Sequence, residues 1–155
     1  MITINYDFWV RMDRDVLNQY IVEMIEIDVQ TGSIEVIEFI FDSGATYTQL
    51  NKDLAEYRGW VIFKNGLKLG SYIKDAPPTV FDLRKIPKLS FGIRQITDLV
   101  VATPVDGNVK VSNLLGRSFI DNFAHGVDPD AKKIYFTERK TKTNIDSSFG
   151  KIMRN

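Results

Sequence analysis

The sequence predicts an all-β domain, a closed or sandwich-like barrel with one or two short helices. Three observations carry that prediction. Apolar and polar residues alternate at period two in several stretches, the pattern of strands with unequal faces. Turn residues recur at short intervals between those stretches, and only two segments suit a helix. The 155 residues are 44% apolar and 26% charged, which is the length of about one domain and the composition of a globular core, not of a disordered chain.

The elements follow in order. Ile2, Ile4, Tyr6, Phe8 and Val10 alternate with Thr3, Asn5, Asp7 and Trp9 as an N-terminal strand, which the charged run Arg11 to Asp15 ends. Ile21 to Val29 is a second strand, with Ile25, Ile27 and Val29 on one face and Glu26 and Asp28 on the other. Gln30-Thr31-Gly32-Ser33 is a turn in which Gly32 can take positive φ, so Ile34 to Phe41 returns as a hairpin partner. Its tail, Phe39-Ile40-Phe41, is apolar on both faces and is expected to enter the core. Asn51 to Arg58 is a short helix with Asn51 as candidate N-cap.

Trp60 to Phe63 and Leu67 to Ile73 flank Asn65-Gly66, a hairpin signal. Lys74 to Pro78 is a second turn, since neither Pro77 nor Pro78 can donate to a ladder. Thr79 to Ile86, Leu89 to Ile93 and Asp98 to Thr103 are further short strands, punctuated by Pro87, Gly92 and residues 104–108. Leu114 to Phe123 combines a short apolar run with a second helix. Asp128-Pro129-Asp130 is a turn, and Lys133 to Thr137 a last strand. Residues 1–139 read as one domain, with 1–20 an N-terminal strand extension, and 140–155 as a polar tail ending in basic residues.

Composition narrows the function classes. Lys+Arg and Asp+Glu are 20 each, so no net charge draws the chain to nucleic acid or an anionic membrane, and neither is expected as a partner. No apolar run approaches the ~18 residues of a bilayer span. Met1 to Asp15 carries acids early and does not read as a secretory leader, so the expected location is cytoplasmic. Absence of Cys excludes disulfides, thiol catalysis and thiolate metal sites. The lone His125 cannot build a three-histidine zinc site, and no cofactor or metal is expected. His125 reads as a solvated or capping residue, Trp9 and Trp60 as parts of a β core, and Arg139-Lys140-Thr141-Lys142 as a solvated run.

The chemistry concentrates in Ile40-Phe41-Asp42-Ser43-Gly44-Ala45-Thr46. A core strand runs directly into an acid, although burying an unpaired carboxylate is expensive. The small residues after it leave space around that one carboxylate. Taken alone, Asp-Ser-Gly is better read as an Asx-type turn in which Asp42 merely bonds its own backbone. The Asp-x-Gly-x-Thr spacing also fits the phosphate motif of the actin-like ATPases, but those enclose nucleotide between two large lobes for which this chain is too short.

The wider pattern resembles the retropepsin-like, single-domain aspartic proteases. The apolar-apolar-Asp-Ser-Gly-Ala run is similar to their first motif, Thr48 stands where the family places a Thr or Ser, and Asn51 to Glu56 looks like a helix seen in bacterial members. Leu114-Leu115-Gly116-Arg117, before Ser118-Phe119-Ile120, resembles their second motif, and Ile134-Tyr135-Phe136 their closing strand. The resemblance covers about residues 20–138. It implies a closed, barrel-like acid-protease fold with one lobe per chain, and an endopeptidase with Asp42 as catalytic residue. One such Asp per chain then implies a homodimer through the active-site axis, acting on a peptide or protein. It also implies that Ser43 locks the two active loops, that Gly44, Ala45 and Thr46 line the substrate cleft, and that Leu114, Leu115 and Gly116 pack beneath the loop. The N-terminal strand either pairs between subunits or closes its own.

Three features depart from the family pattern. Arg117 usually pairs with an acid at the position of Thr46, so it must find another acid or a carbonyl. The flap is expected at Lys74 to Pro78, with Asn65-Gly66 the second candidate, and the first lacks the usual glycines. The chain is longer than a minimal viral enzyme at both ends. These departures keep open a catalytically silent dimer of the same fold, serving as a peptide-binding or oligomerisation module.

Overall fold

The computed structural model describes residues 5–69, 78–139 and 151–152. Its elements, in chain order, are β1 (Phe8–Arg11), β2 (Asp13–Arg14), β3 (Tyr20–Ile27), β4 (Ile34–Phe41), α1 (Lys52–Arg58), β5 (Ile62–Leu69), β6 (Thr79–Phe91), β7 (Arg94–Pro104), β8 (Leu114–Leu115), α2 (Arg117–Ile120), β9 (Phe123–Asp128), β10 (Lys133–Glu138) and β11 (Lys151–Ile152). They form a three-stranded sheet, β1-β10-β9, and a larger one, β11-β7-β6-β3-β4-β8, with β2 paired to β3 and β5 to β6. Among the described residues no helix is long and apolar enough to cross a membrane.

The core lies between the sheets and is rich in phenylalanine. Phe8 and Phe136 stack at 5.1 Å, while Phe91 meets Phe136 and Phe119 edge-on at 5.3 and 5.4 Å. Each well-placed ring pair adds ~0.5–1.5 kcal/mol beyond area burial, so this cluster anchors the small sheet to the large one. A second cluster, Phe81, Leu83, Val100 and Ala102, lies under β5, where Leu67, Leu69 and Tyr47 pack on it.

The hairpin β3–β4 forms as expected, closed by Gly32 at φ 74°. Of its two faces, Val22, Met24 and Glu26 point inward, while Ile25, opposite Val36, faces solvent. Glu26 can be buried because Arg58, at the end of α1, bonds it at 2.8 Å. Burial pushes the Glu26 carboxyl up in pKa, and the Arg58 hydrogen bond and charge partly oppose that. Asn51 stands at the N-cap position of α1, yet its side chain bridges both ways to the Val111 backbone, at 2.8 Å each, instead of capping. Gly59 ends α1 in the left-handed region at φ 68°.

Other differences concern strand ends. The hairpin expected at Asn65-Gly66 is absent. β5 runs straight through those residues and absorbs Gly66, at φ 74°, in register shifts against β6. Arg11 to Asp15 does not simply break the chain, because Asp13–Arg14 pairs with β3. The short strands read from Thr79 to Thr103 merge into the long hairpin β6–β7, turning at Gly92. Pro87 stays in β6 because it lies between the stretches paired to β5 and to β3. β9 had no alternating signal, since Ala124, His125 and Gly126 interrupt it. β1 pairs with β10 of its own chain, through Phe8↔Phe136 and Val10↔Ile134. Lys151–Ile152, in the polar terminal segment, pairs with β7. The expected flap turn lies outside the described residues except for Pro78.

Candidate active site

The Asp loop is held from two sides. β8 runs parallel to β4, aligned Ile40↔Leu114 and Phe41↔Leu115. The Asp42 N–H continues that ladder, donating to the Leu115 carbonyl at 3.0 Å. On the far side of β8, Gln49 bridges to both Leu114 and Ala102. The residue after a core strand is thereby fixed by the strand that runs beside it. The turn closes with the Ala45 N–H on the Asp42 carbonyl at 3.2 Å and the Gly44 N–H on Asp42 Oδ1 at 2.9 Å. An Asx-type hydrogen bond therefore exists, and it orients the carboxylate without burying it.

The second brace is the start of α2. Helix N-termini leave backbone N–H groups without intrahelical partners. Here the Arg117 N–H donates to the Ala45 carbonyl at 2.7 Å and the Ser118 N–H to the Thr46 carbonyl at 3.0 Å. Gly116 makes this approach feasible: a Cβ there would lie 2.9 Å from the Ala45 oxygen and closer still to the Tyr47 carbonyl. Thr48, fully buried, accepts the Gly116 N–H on its hydroxyl at 3.1 Å, and its own N–H donates to the Ser118 hydroxyl at 3.1 Å. The two motifs, about seventy residues apart, thus form one hydrogen-bonded unit.

Around that unit, Asp42, Gly44, Ala45, Thr46 and Leu114 line a cleft of about 290 Å³ together with Tyr47, Gln49 and Leu69. Ser43, Gly44 and Thr46 are exposed at the loop tip, Asp42 and Ala45 are half-buried, and Leu115 is fully buried. Leu115 is buried in the core, whereas Leu114 lines the cleft. Arg117 finds Asp121, at 4.0 Å with both side chains more than half exposed. At that distance and exposure the pair contributes little. A larger cleft of about 670 Å³ lies elsewhere, along Arg11, Arg14, Glu23 and Glu38, where exposed charges of both signs show no focused chemistry. Among the described residues no three His, Asp or Glu side chains converge as a metal site.

Sequence reasoning did not find Tyr47, Gln49 and Leu69 as cleft walls or His125 as a neighbour. The His125 ring stands edge-on to Phe41 at 5.1 Å, one residue before Asp42. His125 is exposed, yet partial desolvation of its ring, followed by the Arg139 charge, lowers its pKa, against a smaller opposite pull from Asp121. Nothing local marks these residues, because a curled sheet brings them together.

No protein-family model matches the chain, and no curated protein sequence does either. The fold is similar to that of a solved retropepsin-like aspartic protease from Rickettsia conorii, with a TM-score of 0.53 and 16% identity over 88% of this chain and 96% of the other. The architecture is retropepsin-like and mostly β.

Proposed function

We propose that the chain is an aspartic endopeptidase that works as a homodimer, with Asp42 of each copy facing the other across a two-fold axis. The observation that carries this reading is the Asp42 loop itself. In a retropepsin-like fold, an acid at the end of a core strand is held by β8 and α2 at the rim of a cleft, its loop tip exposed. One chain supplies one such carboxylate, and a symmetric pair supplies two.

Two carboxylates about 3 Å apart cannot both ionise, so they share a proton. The ionised member takes a proton from a water, which attacks the scissile carbonyl. The protonated member hydrogen-bonds the carbonyl oxygen and stabilises the tetrahedral intermediate. Ser43 and Gly44 support the loop, and Gly44, Ala45 and Thr46 border the path of an extended peptide, which strand-like backbone hydrogen bonds would hold.

The second reading, a silent dimer that binds peptide or joins partners, draws on two observations: uncharged Thr46 and the loosely paired Arg117. One experiment separates the two. Wild type and Asp42→Asn are incubated with an unbiased peptide library across a pH series, with mass in solution read alongside. The protease reading expects chelator-insensitive cutting at acidic to neutral pH, abolished by Asp42→Asn. A dimer that cuts nothing at any pH would establish the silent module.

A further inference from the structure

We propose that Gln49 sets the side-chain preference of the Asp42 cleft, which takes a peptide residue ending in a primary amide, asparagine or glutamine. This rests on the reading of that cleft as the path of a peptide, and it names the residue class the path accepts.

The wall is built before any peptide arrives. Gln49 donates its N–H to the Leu114 carbonyl at 2.9 Å and takes the Leu114 N–H on its own carbonyl at 3.1 Å. Thr48 and Leu50, on either side of it, are buried. The alternation of an extended segment therefore turns Gln49 the other way, where it lines the cleft with Leu69 and Leu114 and is half-buried. Its amide is anchored too, because Nε2 donates to the Ser112 carbonyl at 3.1 Å. One of two N–H donors is thereby spent, while Oε1 and the second N–H have no partner among the described residues.

Polarity then decides what fits. Apart from Asp42, every described residue of the cleft is uncharged, and Asp42 is engaged by the water and the scissile carbonyl in the proposed reaction. A charged side chain entering beside Leu69 and Leu114 loses its water without an opposite charge to replace it. An aliphatic side chain covers Gln49 and strips the free amide atoms of water with nothing in exchange. A primary amide carries the matching donor and acceptor side by side, so two hydrogen bonds form with Gln49. Sites that hydrogen-bond a substrate group reject the analogue lacking it more strongly than apolar pockets reject a missing methylene.

The test is the cleavage profile of an unbiased peptide library, read for wild type, Gln49→Leu and Gln49→Glu. In a two-fold dimer the same wall occurs on each side of the scissile bond. Wild type should therefore enrich asparagine and glutamine about tenfold over leucine at one position on each side. Gln49→Leu should reverse that ratio, and Gln49→Glu should bring in lysine and arginine, at those positions only. In parallel, the library is captured on immobilised Asp42→Asn and identified by mass without cleavage. A wild-type profile, cut or captured, without amide enrichment at any position overturns the inference whether or not the variants fold. So does a profile that both variants leave unchanged. Either result leaves the endopeptidase reading intact wherever cutting still depends on Asp42. Amide-bearing peptides captured by Asp42→Asn, with wild type cutting nothing, keep the Gln49 subsite and overturn the protease. A chain that neither cuts nor captures overturns both.

Discussion

Gly116 is the residue on which the two braces of the Asp loop meet, and its role is steric. A methyl group there would press on backbone carbonyls of Ala45 and Tyr47, which cannot swing aside as a side chain could. Gly116→Ala is therefore expected to cost about 2–3 kcal/mol and lower the melting temperature on the order of 5–10 °C, measured by calorimetry. His125 gives a second expectation at this scale. Its pKa is lowered in the fold, so below the ordinary value of 6.5 the unfolded chain binds the proton more readily than the native one. Stability then falls as pH drops below about 6.5, and His125→Gln should flatten that part of a melting-against-pH curve; an unchanged slope would remove His125 as its source. The sequence made Asp42, Gly44 and Gly116 legible because an acid between a core strand and small residues needs a chemical reason. Tyr47, Leu69 and His125 left no such mark, since their relation to the site depends on distant strands.

Among the elements, α1 is tied to the hairpin β3–β4 by a buried pair. Arg58 reaches Glu26 at 2.8 Å and Asp28 at 3.3 Å, with the Arg58 and Glu26 side chains 5% and 1% exposed. Asp28 keeps its carboxyl below the usual range mainly through the Gln30 N–H and the Thr31 hydroxyl. Arg58→Met strands Glu26 in the core and is expected to cost about 3–5 kcal/mol in urea denaturation. The deficit should shrink as pH falls and Glu26 takes a proton, because an unpaired buried carboxylate is stable only when neutral. Adding Glu26→Gln should recover much of the loss at neutral pH. This pair also explains what alternation left open in β3: it told which residues share a side, but the side that faces inward was decided by an arginine 32 positions away. Asn65-Gly66 misled for a related reason. The same positive φ serves a hairpin turn or a bulge, and pairing with β6 selected the bulge.

For the whole molecule, the all-β class and the retropepsin-like architecture were legible because turn spacing and the two separated motifs pointed the same way. The merger of short strands into β6–β7, and the existence of β9, were not, because both depend on which edges pair once the chain has collapsed. The central claim also belongs to this scale: one chain holds half of a catalytic pair. Mixing wild type with Asp42→Asn at fixed total concentration, allowing subunits to exchange, tests it most directly. If each active unit needs Asp42 from both copies, peptide cleavage follows the square of the wild-type fraction, about a quarter of full activity in an equal mixture. Activity that falls in simple proportion, to about half, would mean that each chain cuts alone and would contradict the shared pair.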